Sequence, residues 1–257
     1  MPVRSAVELV ALAQASESMA SVLTGGDWYL LGSRGAGVDD HLSDWDTVLF
    51  TGSDIEHEAL PRGSLDAAFA VSRPTVQGTP NLALHVQWRR AAGVDVQVVG
   101  PAGRLVLERE LLTVWAHELR HAIPLRLAVG IGEPYRAHVA DQFARRRPEL
   151  ALRAYREFRR SRNEAVASLP RVDHAAQALT AAACVCWAAR YWLLAEGLPH
   201  PSDKWLLRML ERSHGATTVL AVMRVAVDLR NEPSVRFDAL WRLWELVDEH
   251  AHATRDQ

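Results

Sequence analysis

The tightest constraint on this chain lies between Trp28 and Phe50. An apolar run, Trp28–Leu31, ends in Gly32-Ser33, and about ten residues later come Asp44 and Asp46, followed by the short apolar run Val48–Phe50. On a strand, residues two apart project from the same face, so Asp44 and Asp46 would stand side by side. Two carboxylates held that close repel each other unless a cation lies between them. The hard cation that suits oxygen ligands and stays open to phosphate is Mg²⁺. Gly32 would let the backbone approach a phosphate, and N–H groups at a turn or helix start, with the Ser33 hydroxyl, would hold it.

A later run, Gly93–Val99, reads GVDVQVV and carries Asp95 between valines in period-two alternation. Leu82–Trp88 alternates likewise and precedes it, so the two segments form a hairpin signal around Arg89–Gly93. That hairpin would bring Asp95 to a sheet already holding Asp44 and Asp46.

Gly32-Ser33 after a strand, then Asp44-x-Asp46 on the next, then a strand aspartate, resembles the nucleotidyltransferase superfamily of the DNA polymerase β type. Ser43 stands before the aspartate pair as in many members. The resemblance implies an α+β fold: a polymerase β-like nucleotidyltransferase domain, with a mixed sheet and helices, followed by an all-α helical bundle. It implies that Asp44, Asp46 and Asp95 hold Mg²⁺, that Asp95 also acts as base, and that Gly32, Ser33 and Ser43 bind the NTP. Pro201–Leu206 looks like the Lys-Trp-Leu element of some relatives, where the lysine reaches the triphosphate; Lys204 takes that place here. The plan and size are similar to those of the aminoglycoside and lincosamide adenylyltransferases. The implied reaction moves a nucleoside monophosphate, with ATP the expected donor, to a hydroxyl of a small molecule such as an antibiotic.

The remaining segments fit two domains, expected at 1–131 and 132–257. Residues 3–23 read as an amphipathic helix closed by Gly25-Gly26, and 28–32 and 45–51 as strands. Residues 65–72 fit strand or helix. Helical periodicity begins near Leu105 and runs to His121, and Ile123–Val129 suits a short strand. Helices are then expected at 134–145, 148–168, 173–196, 202–213, 215–230 and 234–253, with prolines and glycines between them.

With 49% hydrophobic and 23% charged residues, the composition is that of a globular chain, and a net charge of −2 gives no general attraction for nucleic acid. No run matches a signal peptide or the roughly 18–20 apolar residues that span a membrane, so a cytoplasmic location is expected. Cys184 and Cys186, about 200° apart on a helix, read as buried thiols.

Several features admit other readings. Arg145–Arg147, Arg153, Arg156, Arg159, Arg160 and Arg162 could form a polyphosphate or RNA patch, or a solvated helix face paired with Glu149, Glu157 and Glu164. His117-Glu118-Leu119-Arg120-His121 matches the zinc-hydrolase pattern His-Glu-x-x-His, but Arg120 sits inside it and Pro124 ends its helix within a turn. A toxin-like or regulatory transferase acting on protein or tRNA, and a non-catalytic nucleotide-binding module, complete the alternatives.

Overall fold

The computed structural model describes residues 5–15, 26–39, 43, 45–51, 69–72, 82–88, 94–99, 109–171, 173–213 and 215–253; residues 69–72, 82–88 and 94–99 are placed by their backbone. It is an α+β structure with two compact units, Met1–Gln142 and Phe143–Gln257. The second half of the expected first helix lies outside the described residues.

The first unit opens with α1 (Ala6–Ala15), then β1 (Gly26–Leu30), α2 (Gly32–Ala36) and β2 (Trp45–Thr51). There follow β3 (Phe69–Ser72), β4 (Leu82–Trp88), β5 (Val94–Val99), α3 (Arg109–Arg120) and β6 (Ile123–Arg126). The six strands form one mixed sheet in the order β3-β4-β5-β2-β1-β6. β4 and β5 pair antiparallel, as the alternation predicts, and β2 pairs parallel with β5. The segment 65–72, which suits either state, contributes strand β3 at the sheet edge.

β1 and β2 lie inside the sheet, and every described residue of β1 is buried. That explains their nearly continuous apolar character, since a strand covered on both faces loses the polar alternation of a half-exposed one. Trp28, Tyr29, Val48, Leu49 and Phe50 make the core here. Phe50 packs on Tyr135 at 4.6 Å between ring centroids and meets Tyr29 edge-on at 5.8 Å.

One β1 residue breaks the apolar run. Asp27 is fully buried, and its carboxylate accepts four backbone N–H groups from the connection after β6. Oδ1 takes Ala128 (2.7 Å), Val129 (2.9 Å) and Gly130 (3.2 Å), and Oδ2 takes Gly132 (2.9 Å). Burial alone would raise its pKa, but those four donors outweigh it and hold the group at about 2. The carboxylate therefore supplies the acceptors that a buried loop would otherwise lack.

The helix α4 (Gly132–Ser168) continues through Pro148, where two helices were expected. Proline removes one N–H and frees the carbonyl four residues back. Here Pro148 and Ala144 are both exposed, so water can take that carbonyl and the helix survives.

The second unit holds the later part of α4, then α5 (His174–Ala195), a 3₁₀ turn (Asp203–Trp205), α6 (Leu206–Leu210), α7 (Thr217–Val227) and α8 (Pro233–Ala253). Asp173 caps α5 by accepting the Ala176 N–H at 3.0 Å. Phe158, Ala188, Leu210, Met223, Leu240 and Leu243 are wholly buried and form its core. Arg236 is buried among them and donates to Gln177 Oε1 (2.9 Å) and to the Ala226 carbonyl (3.3 Å). Gln177 in turn donates to the carbonyls of Leu169 and Arg171. Cys184 is buried, and burial pushes its thiol up to about 12, consistent with an inert core group. By length and composition α5 could cross a membrane, contrary to the expectation of no such run. Its most apolar stretch has mean hydropathy 1.4, and half of that stretch is buried inside the structure.

The Asp27 carboxylate generates a prediction. Its pKa is lowered on folding, so its contribution is complete above the ordinary value of 3.8 and is lost as pH falls through about 2. Asp27→Asn should lower unfolding stability at neutral pH by about 2–3 kcal/mol in denaturant titration. The difference from wild type should shrink steadily between pH 4 and pH 2.

Candidate active site

The turn after β1 is built around Gly32. Leu31 is extended, and Gly32 adopts φ +66°, a left-handed value that glycine takes at little cost. The short helix α2 then forms and ends at Gly37, also at φ +66°. A side chain on Gly32 would run into the carboxylate of Asp46, whose Cβ and Cγ lie 3.0 and 3.1 Å from where that side chain's Cβ would be. Leu31 N–H donates to the Asp46 carbonyl at 2.7 Å. The turn and the start of β2 are thus locked together, with the Asp46 carboxylate lying over the turn. Ser33 is buried in the first turn of α2, and its carbonyl accepts the Val38 N–H at 2.8 Å. Gly35 has a separate reason: a side chain there would press on the carbonyls of Leu30 and His121.

Asp46 on β2 is the direct register partner of Asp95 on β5. In a parallel pair, matched positions fall on the same face of the sheet, so these two positions are neighbours across the strands. The same Asp95 position pairs with Gln87 on β4. Asp44 lies outside the described residues. Ser43 is buried, and its carbonyl accepts both Nη2 (2.6 Å) and Nε (3.2 Å) of Arg34.

Arg34 escaped the sequence reading. Besides Ser43 it pairs with Asp39 at 3.1 Å, and its guanidinium stacks over the Trp45 ring at 4.4 Å. Arg34 of α2 thus reaches both Ser43 and Trp45, where β2 begins. Its spacing, two residues after a glycine turn, carries no pattern that marks it out.

The second unanticipated contact comes from α3. Glu118 Oε2 accepts the Gly32 N–H at 2.5 Å. α3 is seated by buried Leu112, Ala116 and Leu119, and Arg136 of α4 donates to its Leu119 carbonyl at 2.9 Å. Burial pushes the Glu118 carboxyl up to about 7; the nearby Asp46 charge adds to that rise and the Gly32 hydrogen bond opposes it. Two carboxylates therefore converge on one glycine, Asp46 over its α-carbon and Glu118 on its N–H.

This use of Glu118 bears on the His-Glu-x-x-His match. His117 is buried, and its ring lies 4.8 Å from that of His121. The glutamate between them is turned to Gly32, and among the described residues no group of three or more potential ligands gathers to hold a metal.

Lys204 lies in the 3₁₀ turn of the second unit, exposed, with its ammonium 4.8 Å from the centre of the Trp205 ring. Its neighbour Asp203 pairs with Arg190 at 2.6 Å. The expected helix over 202–213 is this turn followed by the five-residue α6. In the arginine stretch, Arg160 bonds Glu157 (2.9 Å) and Glu164 (3.2 Å), while Arg162 lies over Trp241 and Trp244. Arg160 is thus paired within its own helix, whereas Arg162 packs on aromatic rings of α8. The second unit also carries a cavity of about 320 Å³ lined by Arg147, Ala151, Leu152, Tyr155, Tyr191 and Leu194, among others; none of the expected site residues lines it.

No family model matches the chain, and no curated protein matches its sequence. Among solved structures, it is similar to a nucleotidyltransferase-like protein from Exiguobacterium sibiricum 255-15, with 10% identity and a TM-score of 0.48. That similarity covers 93% of this chain and 75% of the other.

The crowding at Gly32 predicts a large effect for a small change. Gly32→Ala places a methyl group against the Asp46 carboxylate and forces alanine into a left-handed conformation. It should cost about 2–4 kcal/mol in denaturant unfolding, whereas Gly130→Ala, with the same sign of φ but open space around it, should cost only about 1 kcal/mol.

Proposed function

We propose that this chain is a Mg²⁺-dependent nucleotidyltransferase that moves a nucleoside monophosphate from an NTP to a hydroxyl, releasing pyrophosphate. The observation that carries the reading is the position of Asp46: against the Gly32 turn on one side and in register with Asp95 on the other. A glycine turn beside paired carboxylate positions is what a triphosphate and its cation together require. The donor set is all oxygen, which fits Mg²⁺ better than a softer metal. Asp44 and Asp46, with Asp95, would hold it, and when bound it would neutralise the triphosphate and help the acceptor hydroxyl lose its proton.

The chain's own residues have separable tasks. Gly32 and Ser33 would bind phosphate oxygens through backbone N–H and hydroxyl groups. Ser43, through the Arg34 contacts at its carbonyl, would fix the approach to β2. Asp95 would accept the proton of the acceptor hydroxyl, and Lys204 would supply positive charge to the triphosphate. ATP is the proposed donor and a small molecule, such as an antibiotic, the proposed acceptor, with the cytoplasm as the compartment that supplies the NTP.

The test is incubation with Mg²⁺, a panel of NTPs and hydroxyl acceptors, read by mass spectrometry as a gain of one nucleoside monophosphate. Asp46→Asn should abolish that gain. Asp95→Asn should slow turnover by about 10²–10⁴-fold while NTP still binds, the usual span for losing a positioned base. Full activity of either variant would remove the assignment, and bound zinc in place of Mg²⁺ dependence would favour the hydrolase.

A further inference from the structure

The reading above gives the Gly32 N–H to a phosphate oxygen, yet the structure gives it to Glu118. At 2.5 Å, the Glu118 oxygen stands where that phosphate oxygen would have to be. One N–H cannot serve both at full strength.

The way Glu118 is held is unlike an ordinary cap. Helix starts are usually capped by a Ser, Thr, Asp or Asn of the same segment. Here the residue at that position is Leu31, which offers no side-chain acceptor, and the anion comes from a residue 86 positions away. It is also opposed: the Asp46 carboxylate lies against the same glycine, and like charges this close destabilise each other. The backbone of α3 is anchored by its buried apolar residues, whereas Glu118 itself is largely but not fully covered and has three rotatable bonds. It can turn away without moving the helix.

We propose, on the strength of the nucleotidyltransferase reading, that Glu118 is a built-in stand-in for a nucleotide phosphate: it holds the Gly32 N–H and yields it when a triphosphate arrives. The residue thereby sets the threshold for nucleotide entry. It keeps the glycine turn in its phosphate-ready shape, and its displacement subtracts from the affinity for NTP. An anion with less charge than a triphosphate would displace it poorly, so Glu118 also discriminates by charge.

The experiment is equilibrium binding of a fluorescent ATP analogue with Mg²⁺ to the full chain, for wild type, Glu118→Ala, Glu118→Gln and Asp46→Asn. Removing a competing charged acceptor should tighten binding of Glu118→Ala by about 5–50-fold. Glu118→Gln should fall between it and wild type, because the amide oxygen still accepts the N–H but carries no charge. The same gain should appear with inorganic tripolyphosphate and be absent with adenosine. Loss of a merely structural contact would not raise affinity, and thermal melting would show which variants are folded; if Glu118→Ala is not, Glu118→Gln alone decides. Unchanged or weaker binding in the folded Glu118 variants, with wild type binding through Asp46, overturns this proposal and leaves the transferase reading in place. No nucleotide binding by wild type overturns that reading, and this proposal with it.

Discussion

The Asp46 carboxylate lies where a side chain on Gly32 would be, and the arrangement of the candidate site follows from that exclusion. Because residue 32 has no side chain, β1 can turn sharply into α2 while β2 starts beside it, with Leu31 bonded to the Asp46 backbone. Gly32 takes a left-handed φ at little cost, and its N–H is held by the Glu118 carboxylate rather than by a side chain of its own segment. The site is thus specified mainly by backbone, and it tolerates little change at one position.

Charge is handled by different means in the two units. Asp27 is buried and ionised because four backbone donors surround it, so it stitches the connection after β6 to β1. Arg236 is buried in the helical unit and is satisfied by carbonyl oxygens and Gln177. Glu118 has one backbone donor and an adjacent like charge, and its pKa rises accordingly. The contrast supports a division of roles: the fully satisfied groups fix structure, and the poorly satisfied one sits at the candidate site.

Much of this was legible in the chain. Alternation placed β4 and β5, and the apolar run Val48–Phe50 placed β2. The hairpin of β4 and β5 followed from their spacing, and the register of Asp46 with Asp95 then depended on β5 pairing parallel with β2, which no local pattern encodes. Pro148 misled because its cost depends on whether the freed carbonyl meets water, a tertiary property. Arg34 could not be singled out, since an arginine near a turn is commonplace until its partners Ser43, Asp39 and Trp45 are known. Glu118 was visible as the glutamate of a zinc-like pattern, and nothing tied it to the Gly32 turn. Its contact spans 86 positions, and periodicity places it on a helix without saying what that helix faces.

The central claim is that Asp46 and the Gly32 turn form one site for a divalent cation and a triphosphate together. Mn²⁺ bound in place of Mg²⁺ can be followed by water-proton relaxation, with a non-hydrolysable NTP analogue added or withheld. The account predicts that the nucleotide tightens Mn²⁺ binding to the wild-type chain and that Asp46→Asn removes the effect. Mn²⁺ binding that is indifferent to the nucleotide, or that survives Asp46→Asn unchanged, would contradict it.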